Sequence, residues 1–384
     1  MKIAFLTEKY TPDIGGLAIS AERFARLLVS AGHEVRVLAP TRNLPASETR
    51  TLASSGLQVT RFGARKRLDD TLVDWFELLV AEHQPEPFDV LHAYFLPQAG
   101  FIAAYAGSYL GVPSVVSTRG NDLERAIFDS SRAAHILYAL QHASAVTTNA
   151  NELARKAKAL IPGLEVTIIP NGINTEHFQP LPRNKALAES LNLINKEEAE
   201  KGARVIGFAG ELRAKKGLGP LLSAYAQVNK KKPTTLLIVG DIRAGEDKQI
   251  FEEFKLSHPE ASIIVTGFTS PADLPSYYSL MDVFVQPSLR DGLPNALLEA
   301  MACEKAVIGT AVGGIKDAVI DCKNGRLVST NNVNELASAI DELLTHEGLR
   351  KKLGEVGRQT IMEKFTLQSE LEGNLVVYHR LGLT

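Results

Sequence analysis

The densest group of residues capable of chemistry lies at 287–302, where the sequence reads PSLRDGLPNALLEAMA. An apolar strand candidate precedes it, and a turn with Asp291 and Gly292 leads into a predicted helix. Pro294 suits the first turn of that helix. Gly292 permits close backbone approach, and the N–H groups at a helix start bind anions such as phosphate. The segment therefore predicts an anion-binding turn at the start of a helix.

Two carboxylates accompany this turn, since Glu299 follows Asp291 by eight residues. Over helical rise that spacing is about 12 Å. Two carboxylates that act together on one glycosidic bond lie about 5 to 9.5 Å apart. The pair therefore favours contacts with opposite ends of an elongated ligand whose centre is anionic, such as a sugar, a diphosphate and a ribose in sequence. The alternative is that Asp291 only caps the helix and Glu299 is only solvated.

Three cations follow another apolar strand candidate, at 209–217, AGELRAKKG. Arg213 offers a bidentate fork, and Lys215 and Lys216 offer point charges, so a glycine-bounded loop of this kind suits a diphosphate. A solvated basic turn is the alternative.

A third loop, YTPDIGG at 10–16, separates the first strand candidate from the first helix candidate. Gly15 and Gly16 let the backbone approach a phosphate or sugar closely, although the segment is not GxGxxG and could be a plain strand-to-helix turn. Arg119 and Asn121 follow the strand candidate that ends at residue 118, and we expect them at the same sheet edge.

The elements that must position these loops follow the pattern of βαβ units, in which β-branched runs alternate with stretches of helical period. A segment at 171–202, with two prolines and no strand-like run, is the predicted linker. The predicted strands are 2–7, 34–39, 58–62, 90–93, 114–118, 145–148 and 166–169 in the first half, and 205–209, 235–240, 262–266, 283–286, 306–309 and 326–328 in the second. Helices are predicted over 20–31, 69–83, 122–142 and 367–381, among others.

The length of 384 residues suits two or three domains. We expect an N-terminal Rossmann-like domain over 1–180, a second over 181–365, and a C-terminal helix within 366–384 that packs across to the first domain. Ligands of such sheets bind at the carboxyl ends of the strands, so the sequence predicts a site in a cleft between the halves.

Composition excludes several classes of protein. With 42 Lys and Arg against 44 Asp and Glu, the chain has no basic face for nucleic acid. Cys303 and Cys322 are too few for a disulfide framework or a four-cysteine metal site. Apolar runs are shorter than the about 20 residues that span a bilayer, and no signal peptide is evident, so we expect a cytoplasmic protein.

One basic cluster favours a weak peripheral contact with the inner face of a membrane. It consists of Arg61, Arg65, Lys66 and Arg67. Such clusters are usually solvated surface, and a stable anchor needs a second signal.

Taken together, the motifs resemble the family-4 glycosyltransferases, retaining enzymes of the GT-B fold. The resemblance rests on the order and spacing of YTPDIGG, IIPNGIN at 168–174, AGELRAKKG, VTGF at 265–268, PSLRDGLPNALLEAMA and VGGIK at 312–316. It implies two Rossmann-like domains whose parallel sheets face a central cleft. It also implies transfer of a sugar, with retention and without metal or cofactor, from a nucleotide diphosphate sugar to a hydroxyl of a glycan, a lipid-linked or a small-molecule acceptor.

The resemblance also implies roles for individual residues of the second domain. Lys216 would neutralise the diphosphate, and Glu299 would accept the ribose hydroxyls. The backbone of Gly292, Leu293 and Pro294 would meet the phosphates or sugar, Gly267 and Phe268 would hold the base through backbone groups, and Gly15 and Gly16 would close over the donor from the first domain.

Three positions depart from the family pattern. Asp291 replaces the usual first Glu of the acidic motif and can still accept sugar hydroxyls. Glu211 replaces an Arg of the phosphate loop, and Arg213 is the candidate to supply the missing cation. Arg119 replaces a His of the first domain, so its role would be charge stabilisation or hydrogen-bond donation. His92 is a further candidate ligand for donor or acceptor, with a structural, hydrogen-bonded histidine as the alternative.

Other functions remain open at this point. A different GT-B enzyme, such as a nucleotide-sugar epimerase or a phosphorylase, would share the fold but not the reaction. A non-catalytic nucleotide-sugar-binding subunit of a glycosyltransferase complex is favoured by Glu211 and Arg119, and opposed by the presence of Lys216, Asp291 and Glu299.

Overall fold

A computed structural model describes residues 1–13, 15–46, 48–193 and 204–383. The chain forms two compact units, one of Met1–Asn171 with the segment that starts at Gln368, the other of Gly172–Leu367. The first unit therefore ends at residue 171, where the sequence analysis placed 180, because residues from 172 onward pair within the second unit: the Ile173 N–H donates to the Phe365 carbonyl at 2.7 Å. Residues 194–202 of the predicted linker lie outside the described residues.

The first unit is built on an eight-stranded sheet, which is parallel except for one edge pair. Its strands are β1 (Lys2–Thr7), β2 (Glu34–Thr41), β3 (Thr49–Ser54), β4 (Leu57–Gly63), β5 (Val90–Tyr94), β6 (Ser114–Thr118), β7 (Ala145–Thr148) and β8 (Val166–Ile168), in the spatial order β3-β4-β2-β1-β5-β6-β7-β8. Its helices are α1 (Gly16–Ser30), α2 (Leu68–His83), α3 (Phe101–Leu110), α4 (Asn121–Glu124), α5 (Ser130–His142) and α6 (Asn151–Leu160).

The second unit is built on a six-stranded sheet whose pairs are all parallel. Its helices are α7 (Lys185–Ser190), α8 (Leu218–Lys231), α9 (Glu246–Ser257), α10 (Leu274–Leu280), α11 (Asn295–Ala302), α12 (Ile315–Ala318), α13 (Val333–Thr345) and α14 (Glu347–Lys364). Its strands are β9 (Arg204–Ala209), β10 (Thr234–Val239), β11 (Ser262–Val265), β12 (Val283–Gln286), β13 (Ala306–Thr310) and β14 (Arg326–Val328), in the order β11-β10-β9-β12-β13-β14. Two parallel sheets in an α/β chain confirm the predicted fold class; that they face a central cleft stays a prediction.

A last helix, α15 (Leu367–Arg380), belongs to the first unit from Gln368 onward. Leu371 and Tyr378 pack in the same hydrophobic cluster as Phe24 of α1 and Tyr94 of β5. The C-terminal segment therefore completes the core of the unit that the N-terminal residues begin.

Two elements differ from the sequence expectation. The helix predicted over 122–142 is broken, because Asp129 adopts an extended conformation and its side chain caps α5 by accepting from the Ser131 N–H. Strand β3 was not predicted, since each of its residues is exposed and it has no apolar alternation. It forms by antiparallel pairing with β4 over its full length.

Candidate functional site

The carboxyl end of β9 brings two loops of the second unit into backbone contact. Gly210 follows β9 with φ +116°, a conformation that favours glycine. A Cβ placed on Gly240, which follows β10, would lie 2.4 Å from the Gly210 carbonyl oxygen. Only glycine fits at this position, so the β9 and β10 loops meet at one sheet edge.

The next three residues are held in an extended segment. The Leu212 N–H donates to the Asp241 carbonyl at 2.8 Å, and the Arg243 N–H donates to the Leu212 carbonyl at 3.0 Å. Leu212 is fully buried, whereas Glu211 is exposed and Arg213 is half-buried. Because successive side chains of an extended segment point to opposite sides, Glu211 and Arg213 share the side away from the core.

Lys216 ends a short 3-10 turn, and its N–H donates to the Arg213 carbonyl at 2.8 Å. Gly217 then takes a left-handed conformation, in which an added Cβ would lie 2.0 Å from the Pro287 carbonyl oxygen. The Leu289 N–H donates to the Lys215 carbonyl at 2.9 Å. These contacts fix the cationic loop against the loop that follows β12.

The two loops also join through their side chains. Lys216 Nζ donates to Asp291 Oδ2 at 2.5 Å, and Ser288 Oγ donates to the same oxygen at 3.0 Å. Ser288 in turn accepts from Gln286 Nε2 at 2.8 Å. An ammonium has three donors, so Lys216 can bind Asp291 and an anionic ligand together.

A second glycine pair, Gly313 and Gly314, contacts the turn at Asp291 and Gly292. Gly313 has φ +49°, and a Cβ there would lie 1.6 Å from the Asp291 carbonyl oxygen. The Gly314 N–H donates to the Gly292 carbonyl at 2.5 Å. The VGGIK motif therefore supports the turn that carries the acid, which sequence reasoning did not assign to it.

Helix α11 starts at Asn295, and Pro294, predicted to suit the first turn, takes the N-cap position instead with an extended ψ of 122°. Because Asp291 lies before this helix, the distance expected from helical rise applies only to the part of the segment from Asn295 to Glu299. The positive end of the helix dipole faces the same turn as Lys216, and the two together favour a bound anion.

Glu299 is half-buried on α11 and accepts a hydrogen bond from the Tyr278 hydroxyl at 2.8 Å. Burial raises the pKa of Tyr278 well above its ordinary value, and the negative charge of Glu299 raises it further. Tyr278 therefore remains a donor and orients the carboxylate. Sequence reasoning missed Tyr278, because only folding places α10 beside α11.

Gly267 and Phe268 lie where β11 ends. Gly267 has φ +72°, and its N–H donates to the Gly240 carbonyl at 3.1 Å. Phe268 is 71% exposed. Contacts through Gly240 and Gly210 thus connect this turn to the cationic loop, and the carboxyl edge of the second sheet holds together the predicted residues Arg213, Lys216, Gly267, Phe268, Asp291, Gly292, Leu293 and Pro294.

In the first unit, Gly15 is the N-cap of α1 with φ +131°, and Gly16 is the exposed first residue of that helix. Arg61 of β4 organises the preceding loop, donating to the Tyr10 carbonyl at 2.7 Å and to Asp13 Oδ2 at 2.8 Å. Arg61, predicted from the sequence to belong to a surface cluster, instead supports the loop that leads to the glycine pair.

Arg119 lies largely inside the first unit, with 9% of its side chain exposed. Its guanidinium carbon lies 3.6 Å from the centroid of the Tyr94 ring, and Nη1 donates to Asn171 Oδ1 at 2.8 Å. Nη1 also lies 4.0 Å from Glu370 of α15. The guanidinium is thus contacted by groups inside the first unit. Its role in charge stabilisation stays a prediction. Asn121, also predicted as a ligand, is the exposed first residue of α4.

His92 is fully buried on β5, and its Nδ1 shares a 2.6 Å hydrogen bond with the Tyr378 hydroxyl. Burial, with a smaller effect of the Arg119 charge, lowers the pKa of His92 to about 3, so the imidazole is neutral at pH 7. These contacts match the structural alternative weighed for this histidine.

Two acids at the carboxyl edge of the first sheet, Asp122 and Glu8, have no role assigned from the sequence. Asp122 is fully buried and accepts from Thr118 Oγ1 at 2.9 Å and the Gly120 N–H at 2.8 Å. Burial, together with the charge of Asp122, raises the pKa of Glu8 to about 7. In the described ranges, no three His, Cys, Asp or Glu side chains are grouped so as to hold a metal ion.

Members of the basic cluster form ion pairs within the first unit. Arg61 pairs with Asp13, and Arg65 pairs with Asp74 at 2.6 Å. Across the described parts of the chain, no helix has both the length and the apolar character to cross a bilayer.

Two family models match consecutive parts of the chain. The model for Glycosyltransferase Family 4 matches residues 14–177, and the model for Glycosyl transferases group 1 matches residues 190–360. The chain belongs to the family-4 glycosyltransferases. It is therefore a glycosyltransferase, and this function is favoured over that of an epimerase, a phosphorylase or a non-catalytic subunit. Its two α/β units are those of the GT-B fold.

Full-length similarity agrees with the family models. The GDP-mannose-dependent alpha-(1-6)-phosphatidylinositol monomannoside mannosyltransferase of Mycolicibacterium smegmatis is 26% identical, over 94% of each chain. Sucrose-phosphate synthase from Thermosynechococcus elongatus has a TM-score of 0.81 at 22% identity, covering 99% of this chain and 98% of that one. HepE of Anabaena in complex with UDP-glucose has a TM-score of 0.79 at 18% identity, covering 99% of this chain and all of that one.

Proposed function

We propose that this glycosyltransferase binds a nucleotide diphosphate sugar on its second unit and transfers the sugar, with retention, to an acceptor hydroxyl. The observation that carries the proposal is the Lys216–Asp291 pair at the start of α11. It puts a cation and a hydroxyl-accepting carboxylate beside a turn whose backbone a ligand can approach closely. A diphosphate that carries a sugar offers phosphate oxygens to the cation and sugar hydroxyls to the carboxylate.

The roles follow from this placement. Lys216 and Arg213 neutralise the diphosphate, and the backbone of Gly292, Leu293 and Pro294 meets its oxygens. Asp291 accepts a sugar hydroxyl while it holds Lys216. Glu299, oriented by Tyr278, accepts the ribose hydroxyls. Gly267 and Phe268 hold the base.

The chemistry in this proposal is electrostatic. Bond breaking at the anomeric carbon leaves negative charge on the departing diphosphate, and fixed cations stabilise that charge without reorganisation. The acceptor hydroxyl attacks the oxocarbenium-like sugar from the face that the diphosphate leaves, which gives retention, and the hydroxyl proton passes to the departing diphosphate. No covalent nucleophile and no metal ion are needed in this proposal.

Two similar proteins support the donor class. The mannosyltransferase of M. smegmatis is GDP-mannose-dependent by name, and the Anabaena structure holds UDP-glucose. A base held through backbone groups at Gly267 leaves little trace in residue identity, so the test must compare bases. The acceptor is a glycan, a lipid-linked or a small-molecule hydroxyl, with the first unit as its proposed binding unit.

The test is calorimetric titration with UDP, GDP and ADP and their common sugars, with and without EDTA, followed by release of free nucleotide from the tightest donor across an acceptor panel. Tight binding of one base in EDTA and acceptor-stimulated release support the proposal. NMR of the product's anomeric proton distinguishes retention from inversion. Failure of all three nucleotides to bind would overturn the donor assignment, and an inverted product would overturn the mechanism.

A further inference from the structure

A carboxylate lies beside the cationic loop. Glu211 Oε2 lies 3.4 Å from Arg213 Nη1, and the Glu211 side chain is 53% exposed against 27% for Arg213. The two residues are two positions apart in an extended segment. It places a negative charge beside a cation that the proposed function assigns to the diphosphate.

The backbone makes this pairing a built feature of the loop. Leu212 is anchored in the core and bridges to Ile242, and the Ala214 N–H donates to Asp247 Oδ1 at 2.7 Å. Residues 211 and 213 are therefore held on one side of an extended segment, where their side chains meet. The buried Nε of Arg213 has no hydrogen-bond partner among the described residues, so Glu211 does not satisfy every donor of the Arg213 guanidinium.

We propose that Glu211 is an internal counter-ion of Arg213 that competes with the donor diphosphate for the guanidinium. The inference rests on the proposed function, since it assumes that Arg213 meets the diphosphate. Without donor, Arg213 pairs with the carboxylate. A bound diphosphate draws the guanidinium away, and Glu211 turns toward solvent.

The size of the effect follows from exposure. A half-exposed ion pair contributes at most about 1 kcal/mol, which corresponds to about five-fold in a binding constant. Removing the competitor should therefore tighten nucleotide diphosphate binding by about two- to five-fold at low ionic strength, and less in about 0.5 M salt. The same gain in affinity should slow the dissociation of the bound nucleotide.

The experiment is calorimetry with UDP, GDP and ADP on the wild type and on the E211Q, R213Q and E211Q/R213Q variants. E253Q is the matched control, because Glu253 is exposed on α9 and its replacement makes the same change in net charge. We expect E211Q to tighten binding of the preferred nucleotide, E253Q to leave it unchanged, and R213Q to weaken it. In the R213Q background, E211Q should have no further effect.

Each other outcome overturns the inference. Equal tightening by E211Q in both backgrounds would mean that Glu211 repels the diphosphate directly, without competition for Arg213. No tightening by E211Q, with the wild type still binding a nucleotide, would mean that Glu211 does not limit the site. If the wild type binds none of the three nucleotides, the proposed function fails first, so the two failures are distinguishable.

Discussion

Lys216 Nζ and Asp291 Oδ2 lie 2.5 Å apart, although 75 positions separate the two residues in the chain. The pair forms because Gly217 lets the cationic loop touch Pro287, and because Gly313 lets the acidic turn rest on the segment before α12. The function of the basic loop and that of the acidic turn were each ambiguous from sequence. In the structure the two lie together and form one polar cluster at one sheet edge.

Replacing Lys216 by Ala should lower the rate of sugar transfer by about 10²- to 10³-fold, because the departing diphosphate loses a fixed cation. Thermal unfolding should change little, since the side chain is partly exposed and Asp291 keeps its bond from Ser288. Initial rates of nucleotide release, with a melting curve for each variant, measure both. Transfer at the wild-type rate in K216A would contradict the site assignment.

Replacing Gly313 by Ala should displace the turn at Asp291, because the added Cβ would lie 1.6 Å from a backbone oxygen at a positive φ. We expect a loss of nucleotide binding and a drop in unfolding free energy of about 2 kcal/mol or more. Gly219 is the matched control, since it lies on α8 with open space around its Cβ position. G219A should bind nucleotide like the wild type, and equal damage in both variants would argue against a supporting role for Gly313.

Glu299→Gln should weaken binding of a ribonucleotide diphosphate more than binding of its 2′,3′-dideoxy analogue, because a carboxylate that accepts ribose hydroxyls has nothing to accept from the analogue. A loss of about ten-fold for the ribonucleotide is expected, from one charged hydrogen bond. Calorimetry with both ligands measures the difference. Y278F should give a smaller loss, since it removes only the group that orients Glu299. Equal loss of both ligands in E299Q would place Glu299 elsewhere in the site.

Glu8→Gln should make the free energy of unfolding depend less on pH. The folded-state pKa of Glu8 is about 7 against an ordinary 4.5, so folding retains its proton, and stability falls as pH rises from about 4.5 to about 7. Burial causes most of this shift; Asp122 adds to it, and Arg132 and Lys9 oppose it. The loss amounts to roughly 3 kcal/mol. Urea unfolding at pH 4 and pH 8 should show E8Q gaining stability over the wild type only at pH 8; an equal difference at both pH values would contradict the assignment.

Glu370→Gln should destabilise the protein by on the order of 3 kcal/mol, because Glu370 is 1% exposed and pairs with Arg23 at 2.9 Å, with Arg119 nearby. Chemical denaturation measures the change. E347Q is the control, since Glu347 forms an exposed pair with Lys351 and its loss should change stability little. A change in E370Q no larger than in E347Q would mean that the buried network does not hold α15.

Most strands of both sheets were readable from sequence because buried parallel strands are nearly continuous apolar runs, as in β1 and β10. Strand β3 could not be read in this way, since its residues are exposed and only pairing with β4 defines it. The break at Asp129 was missed because a helix period continues across it, and only the local cap reveals the interruption.

At the candidate site, the glycines and charged residues were recognisable from spacing, because each lies in a short loop after a predicted strand. Their partners were not, since they come from distant parts of the chain: Tyr278 reaches Glu299 from another helix, and Arg61 reaches Asp13 across 48 positions. Burial was not readable either, since nothing in the sequence around His92 of β5 indicates that Tyr378 contacts it.

The return of α15 to the first unit bears on how the protein is made. The ribosome completes residues 1–171 long before it reaches Gln368, and the intervening 196 residues take roughly 10 to 40 s to synthesise. During that interval the nascent first unit lacks Tyr378 over His92 and Glu370 beside Arg23. The unit that is translated first is thus the last to complete its core, and a nascent chain arrested before residue 368 would expose apolar surface to chaperones.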